Sequence, residues 1–132
     1  KEILDYLIDL AWENTDFMES KEAFADKIFA REELGTTGIG RGVAVPHARC
    51  EEVKDIIFVV ALASNPVEDY LTPDSESPKL IIMVGAPKSK NSEYLKLLSN
   101  ISKWFRQKDI RDNVLLAKDT DDLIDELLSI GE

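Results

Sequence analysis

The sequence predicts an α/β layered fold, a small β-sheet flanked by helices on both faces, and three observations carry that expectation. Two continuous apolar runs, residues 56–63 (IIFVVALA) and 79–84 (KLIIMV), have strand length and the unbroken hydrophobicity of strands covered on both sides. Other stretches repeat their apolar residues at helical spacing instead, and they flank the two runs. No internal repeat, low-complexity tract or linker divides the 132 residues, so a single layered domain over residues 1–132 is expected.

Taken in order, residues 2–13 put Ile3, Leu4, Leu7, Ile8, Leu10 and Ala11 at helical spacing. Ser20 is a good N-cap for a second helix over about residues 21–33, whose apolar stripe holds Phe24 and Ile28. Arg31 falls on that same stripe, an odd place for a cation. Gly35, Gly38, Gly40 and Gly42 break the chain into loop, and residues 43–45 form a short strand closed by Pro46. A long polar loop with several prolines, residues 65–78, separates the two apolar strands. A third helix over about residues 92–106 carries Tyr94, Leu98, Ile101 and Phe105 on one stripe, and residues 109–117 suit a short helix. Asp119 or Thr120 caps a last helix with Leu123, Ile124, Leu127 and Leu128.

Composition narrows the function. Apolar residues make up 44% of the chain, enough for one core without cross-links. No apolar stretch approaches the ~20 residues of a membrane span, so no direct membrane insertion is expected. Acids lie within the apolar pattern of the first ten residues, unlike a signal peptide. Cys50 is the only cysteine, which excludes an internal disulfide and suits a reducing, cytoplasmic location. A net charge of −10 argues against nucleic acid and would suit a basic protein partner through steering, although a merely soluble acidic surface fits it equally.

His47 is the only histidine in the chain. Pro46 fixes φ before it, so His47 is expected on a defined turn at the carboxyl end of a strand, where α/β sheets bind ligands. Upstream glycines permit close backbone approach by a ligand or partner. With His47 and Cys50 unaccompanied by a second Cys or His, neither a metal nor a cofactor is expected. The glycine stretch lacks the Gly-Lys-Ser/Thr ending of a phosphate loop and precedes its strand, unlike a dinucleotide fingerprint. A Cys50–His47 nucleophilic pair has no specified facing geometry. A lone imidazole remains. Its neutral nitrogen is a nucleophile near pH 7, and carrying a phosphoryl group needs positioning and positive charge more than a second base. An incidental histidine is the plain alternative.

The stretch REELGTTGIGRGVAVPHAR, residues 31–49, resembles the active-site signature of enzyme IIA domains of the bacterial phosphotransferase system, in their fructose, mannitol and nitrogen-regulatory (type 2) branch. The likeness extends to the helices, the two buried strands, the GAP of residues 85–87 and the closing helices. The resemblance implies a small mixed sheet like that of mannitol and fructose enzyme IIA, here without the family's first N-terminal strand. It implies that His47 accepts a phosphoryl group from phospho-HPr, or its nitrogen-branch counterpart, and passes it to a transporter's IIB domain. Arg31 matches the family's phosphoryl-stabilising arginine, which would explain a cation on a core stripe; a cation serving its own helix dipole is the alternative. Where many members carry a second histidine this sequence has SEYL, so Tyr94 occupies that position; a phenol donates a hydrogen bond but carries no positive charge. Tyr94 could equally cap the core with its hydroxyl in water.

Three functions are compatible with these residues. The first is a histidine phosphocarrier with His47 as acceptor, Arg31 as charge clamp and Tyr94 as a supporting donor. The second is an enzyme IIA-like regulatory module bound to a transporter or regulator, with slow or no transfer and residues 65–78 as a contact surface. The third is an interaction scaffold with His47 incidental. For docking, an apolar patch near the site at Ile39 and Val43, ringed by acids, is expected.

Overall fold

The computed structural model describes residues 2–35, 37–63, 65–67 and 77–130. Its contacts divide the chain into two units, Lys1–Leu95 and Lys96–Glu132. The first contains helices α1 (Glu2–Asn14) and α2 (Lys21–Leu34) and strands β1 (Gly38–Gly40), β2 (Val43–Ala44), β3 (His47–Arg49), β4 (Ile57–Leu62) and β5 (Leu80–Ala86). A 3-10 turn at Lys88–Lys90 leads into α3 (Asn91–Arg106), which crosses the division; α4 (Lys108–Leu115) and α5 (Thr120–Ser129) lie in the second unit.

β5 is the centre of a five-stranded mixed sheet. It is buried at every residue, as an unbroken apolar run requires. β4 pairs with it antiparallel from Ile57↔Gly85 to Leu62↔Leu80. On its other side β2 and β3 both run parallel to it, Val43 opposite Leu80 and His47 opposite Val84. The two segments keep one register, so residues 43–49 form a single strand beside β5, interrupted only at Val45 and Pro46. Proline has no N–H to donate, yet its carbonyl still accepts the Val84 N–H at 3.0 Å. The expectation that Pro46 closes the strand is thus corrected: the ladder resumes immediately after it, and His47 begins a strand instead of occupying a turn.

The glycine stretch is likewise not an open loop. Gly40, Arg41 and Gly42 stand at φ 86°, 57° and 85°, a left-handed turn that folds β1 back antiparallel onto β2. Residues 68–76 of the expected polar loop 65–78 lie outside the described residues; at its base Val67 donates to the Pro78 carbonyl at 2.8 Å.

α1 and α2 cover one face of the sheet. Leu4, Leu7, Ile8 and Ala11 from α1 and Phe24 and Ile28 from α2 form one core with Ala44, Ala48, Ile57, Ile81 and Met83. α2 starts where Ser20 Oγ accepts the Ala23 N–H at 3.1 Å. Its Phe24 ring lies directly on Gly85, where an added Cβ would fall 2.5 Å from Cε1 and 2.7 Å from Cζ. Only glycine lets the ring, and hence α2, approach this closely.

In the second unit Ile101, Phe105 and Val114 are buried, and buried Arg111 donates to the Phe105 carbonyl at 3.2 Å. Asp119 is the cap of α5, its Oδ1 accepting the Asp122 N–H at 2.8 Å. α5 buries none of its residues; Ile124 and Leu128 of its apolar stripe are exposed.

Candidate active site

Side chains alternate along residues 43–49, so Ala44 and Ala48 point into the α1–α2 core while His47 and Arg49 share the opposite face. His47 Nδ1 lies 2.7 Å from the Val45 carbonyl oxygen. A carbonyl can only accept, so Nδ1 carries the proton and Nε2 presents its lone pair. Burial, and after it the positive charge of Arg31, push the imidazole below its ordinary pKa; the Val45 bond and Glu32 oppose the shift without cancelling it. At neutral pH the ring is an uncharged nucleophile.

The residue that orients the ring is itself held. Val45 N–H donates to the Thr37 carbonyl at 3.0 Å, and the hydroxyl of buried Thr37 donates to Glu32 Oε1 at 2.5 Å. A line of hydrogen bonds therefore runs from the last turn of α2 through Thr37 and Val45 to the imidazole.

Arg31 sits half-buried in that last turn. Its Nη1 donates to the Gly35 carbonyl at 2.9 Å, the role of a cation at its own helix end. Its positive charge also acts on His47 and on the Tyr94 phenol.

Tyr94, in the first turn of α3, is buried, and its ring centroid is 6.2 Å from that of His47 with the planes tilted by 55°. Burial pushes its hydroxyl up to about 12, against the fields of Arg49 and Arg31. It is a neutral donor at any physiological pH. The structure thus brings His47 and Tyr94 together, and the charge of Arg31 acts on both.

Sequence reasoning missed Thr37, Glu32, Arg49 and Asn91. Arg49 Nη1 donates to Asn91 Oδ1, at the start of α3, at 2.6 Å. The two-residue period from His47 pointed to Arg49, but a strand ended at Pro46 left no period to apply.

Cys50 faces away from His47 into the core, fully buried, and its thiol donates to Glu52 Oε2 at 3.1 Å. Burial raises its pKa, so no Cys50–His47 pair forms. The expected docking patch is also corrected. Ile39 is 38% exposed, but Val43 is 0% exposed because the sheet encloses it. No helix among the described residues is long and apolar enough to cross a membrane.

Residues 1–130 match the family described as phosphoenolpyruvate-dependent sugar phosphotransferase system, EIIA 2. The chain is similar to the fructose-specific EIIA component of Haloferax volcanii, 27% identical over 98% of this chain and 82% of that one. It is similar to nitrogen regulatory protein IIA-Ntr from Neisseria meningitidis, with TM-score 0.75 and 32% identity over 82% of this chain and 73% of that one. The complex of enzyme IIAMTL and phosphorylated enzyme IIBMTL from Escherichia coli shares its fold, with TM-score 0.78 at 17% identity over 97% of this chain and 86% of that one. The chain belongs to the type 2 enzyme IIA family of the phosphoenolpyruvate-dependent sugar phosphotransferase system.

Proposed function

We propose that this chain is a single enzyme IIA domain acting in the cytoplasm as a histidine phosphocarrier. His47 takes a phosphoryl group from phospho-HPr, or its nitrogen-branch counterpart, and passes it to a IIB domain. The observation that carries this reading is the 2.7 Å contact of Nδ1 with the Val45 carbonyl, which leaves Nε2 as the nucleophile. The Nε2 lone pair forms the new N–P bond while the donor's own bond to phosphorus breaks and the donor imidazole leaves neutral. The acceptor ring takes on positive charge in that step, and the Val45 carbonyl holds the Nδ1 proton against it. Arg31, whose charge acts on His47, would bond phosphoryl oxygens, and Tyr94 would add a neutral hydrogen bond.

A second reading, a regulatory module with slow or no transfer, is favoured by Tyr94, whose phenol supplies no charge, and by the similarity to a nitrogen regulatory protein. Incubation with phosphoenolpyruvate, enzyme I and HPr, followed by intact mass at alkaline pH, separates the two. The phosphocarrier gains one phosphoryl group and the His47→Ala protein gains none. A wild-type protein that stays unlabelled leaves the regulatory reading.

A further inference from the structure

His47 and Arg49 project from one face of the same strand, two residues or about 6–7 Å apart. Asn91 and Tyr94 lie one turn apart on α3. Two cross-links join these pairs: the 2.6 Å bond from Arg49 to Asn91 and the 6.2 Å ring contact of His47 with Tyr94. The four side chains therefore stand on either side of the gap between strand and helix, with Arg49 exposed at its rim.

A phosphoryl group on His47 would bring a concentrated negative charge into this gap. Tyr94 supplies none in return, and Arg31, with one N–H on the Gly35 carbonyl, offers a single positive charge that a second cation would supplement. Arg49 has five donor hydrogens in a planar fork, and the Asn91 bond occupies one of them. The bond to Asn91 holds the guanidinium beside the first turn of α3, the turn that carries Tyr94, and its positive charge acts on the phenol.

Resting on the phosphocarrier reading, we propose that Arg49 is a second phosphoryl-binding residue. Its guanidinium bonds a phosphoryl oxygen on His47 Nε2, and Asn91 is the positioning residue that holds the fork over the gap. Sequence position alone does not assign this role, since the cation comes from the strand that bears the acceptor and the orienting amide from a helix 42 residues away.

The test is the equilibrium constant for phosphoryl exchange with HPr, read by phosphorus NMR on wild type, Arg49→Gln, Arg49→Lys, Asn91→Ala and the double variant Arg49→Gln/Asn91→Ala. An equilibrium between free carriers contains no docking surface, so weaker encounter with the donor does not move it. Arg49→Gln shifts the equilibrium toward phospho-HPr by about tenfold or more, the loss of one charge-assisted hydrogen bond. It also raises the ionisation midpoint of the phosphoryl group. Arg49→Lys retains part of the effect, and Asn91→Ala shifts both readouts the same way by less. Asn91→Ala adds nothing once Arg49 is Gln, which a merely structural asparagine would not do. A labelled wild type whose equilibrium and phosphorus titration are unchanged in Arg49→Gln overturns the proposal and leaves the phosphocarrier reading standing. A wild type that HPr does not label overturns both.

Discussion

Gly85→Ala tests whether the close seat of α2 on the sheet holds the site together. The new methyl would sit 2.5 Å and 2.7 Å from two carbons of the Phe24 ring and 3.5 Å from Ile57 Cβ. Ordinary carbon contact needs ~3.5–4.0 Å, so the ring must retreat by roughly 1 Å. Phe24 is fully buried between α2 and the strands, so the retreat displaces the helix or forces a poor rotamer. Overpacking of this kind costs about 1–3 kcal/mol. For a chain of this size that lowers Tm by about 3–15 °C, measured by calorimetry or circular dichroism. Because α2 also carries Arg31 and Glu32, phosphoryl uptake should fall at temperatures where the variant is still folded. Phe24→Leu in the Gly85→Ala background trims the ring, so the double variant should be less destabilised than the sum of the two single changes. An unchanged Tm, or strict additivity of the two substitutions, would refute the idea that glycine and ring share this space.

Other consequences concern the site directly. The imidazole of His47 should titrate by NMR below the ordinary ~6.5, and Arg31→Gln should raise its midpoint, since the guanidinium charge is one cause of the depression. Because the folded-state value is the lower one, the stability involved is present above the unfolded pKa and is lost as pH falls toward the folded value; a midpoint at or above ~6.5 contradicts this. The Tyr94 phenol should ionise only near pH 12 by ultraviolet titration. Tyr94→Phe should weaken the phosphorylated state more than the free one, while Tyr94→His should speed transfer; no change in uptake, hydrolysis or onward transfer from either substitution would assign Tyr94 to the core alone. Thr37→Val removes the side-chain bond to Glu32, at a cost of about 1.5–3 kcal/mol in urea unfolding, while its carbonyl still accepts the Val45 N–H; phosphoryl uptake should slow because residue 37 is no longer tied to α2.

Long apolar patterns were legible and short polar ones were not. The helices and β5 followed from hydrophobic pattern, because burial of α1, α2 and β5 demands it. β4 forms where its apolar run predicts a strand, but only Ile57 is buried and Phe58 is exposed, so the expectation of cover on both sides is corrected there. Proline removes a ladder N–H, so residues 43–45 read as a strand that Pro46 closes; its carbonyl keeps the ladder in register, and no propensity reports that. That one misreading hid Arg49, which alternation from His47 would have indicated. Gly40 and Gly42 suggest loop that a ligand or partner can approach closely, whereas they form a hairpin turn, a distinction set by pairing between β1 and β2. Thr37 and Asn91 were invisible for a plainer reason: single hydroxyls and amides acquire roles only through partners brought by the fold.

The most direct test of the central claim is the site of attachment on the His47 ring. Long-range proton–nitrogen NMR of the protein before and after incubation with phosphoenolpyruvate, enzyme I and HPr distinguishes the two imidazole nitrogens. The account predicts that Nδ1 is the protonated nitrogen in the free protein and that the phosphoryl group appears on Nε2, as the contact with the Val45 carbonyl requires. A phosphoryl group on Nδ1, or an imidazole unchanged while the protein gains label elsewhere, would contradict it.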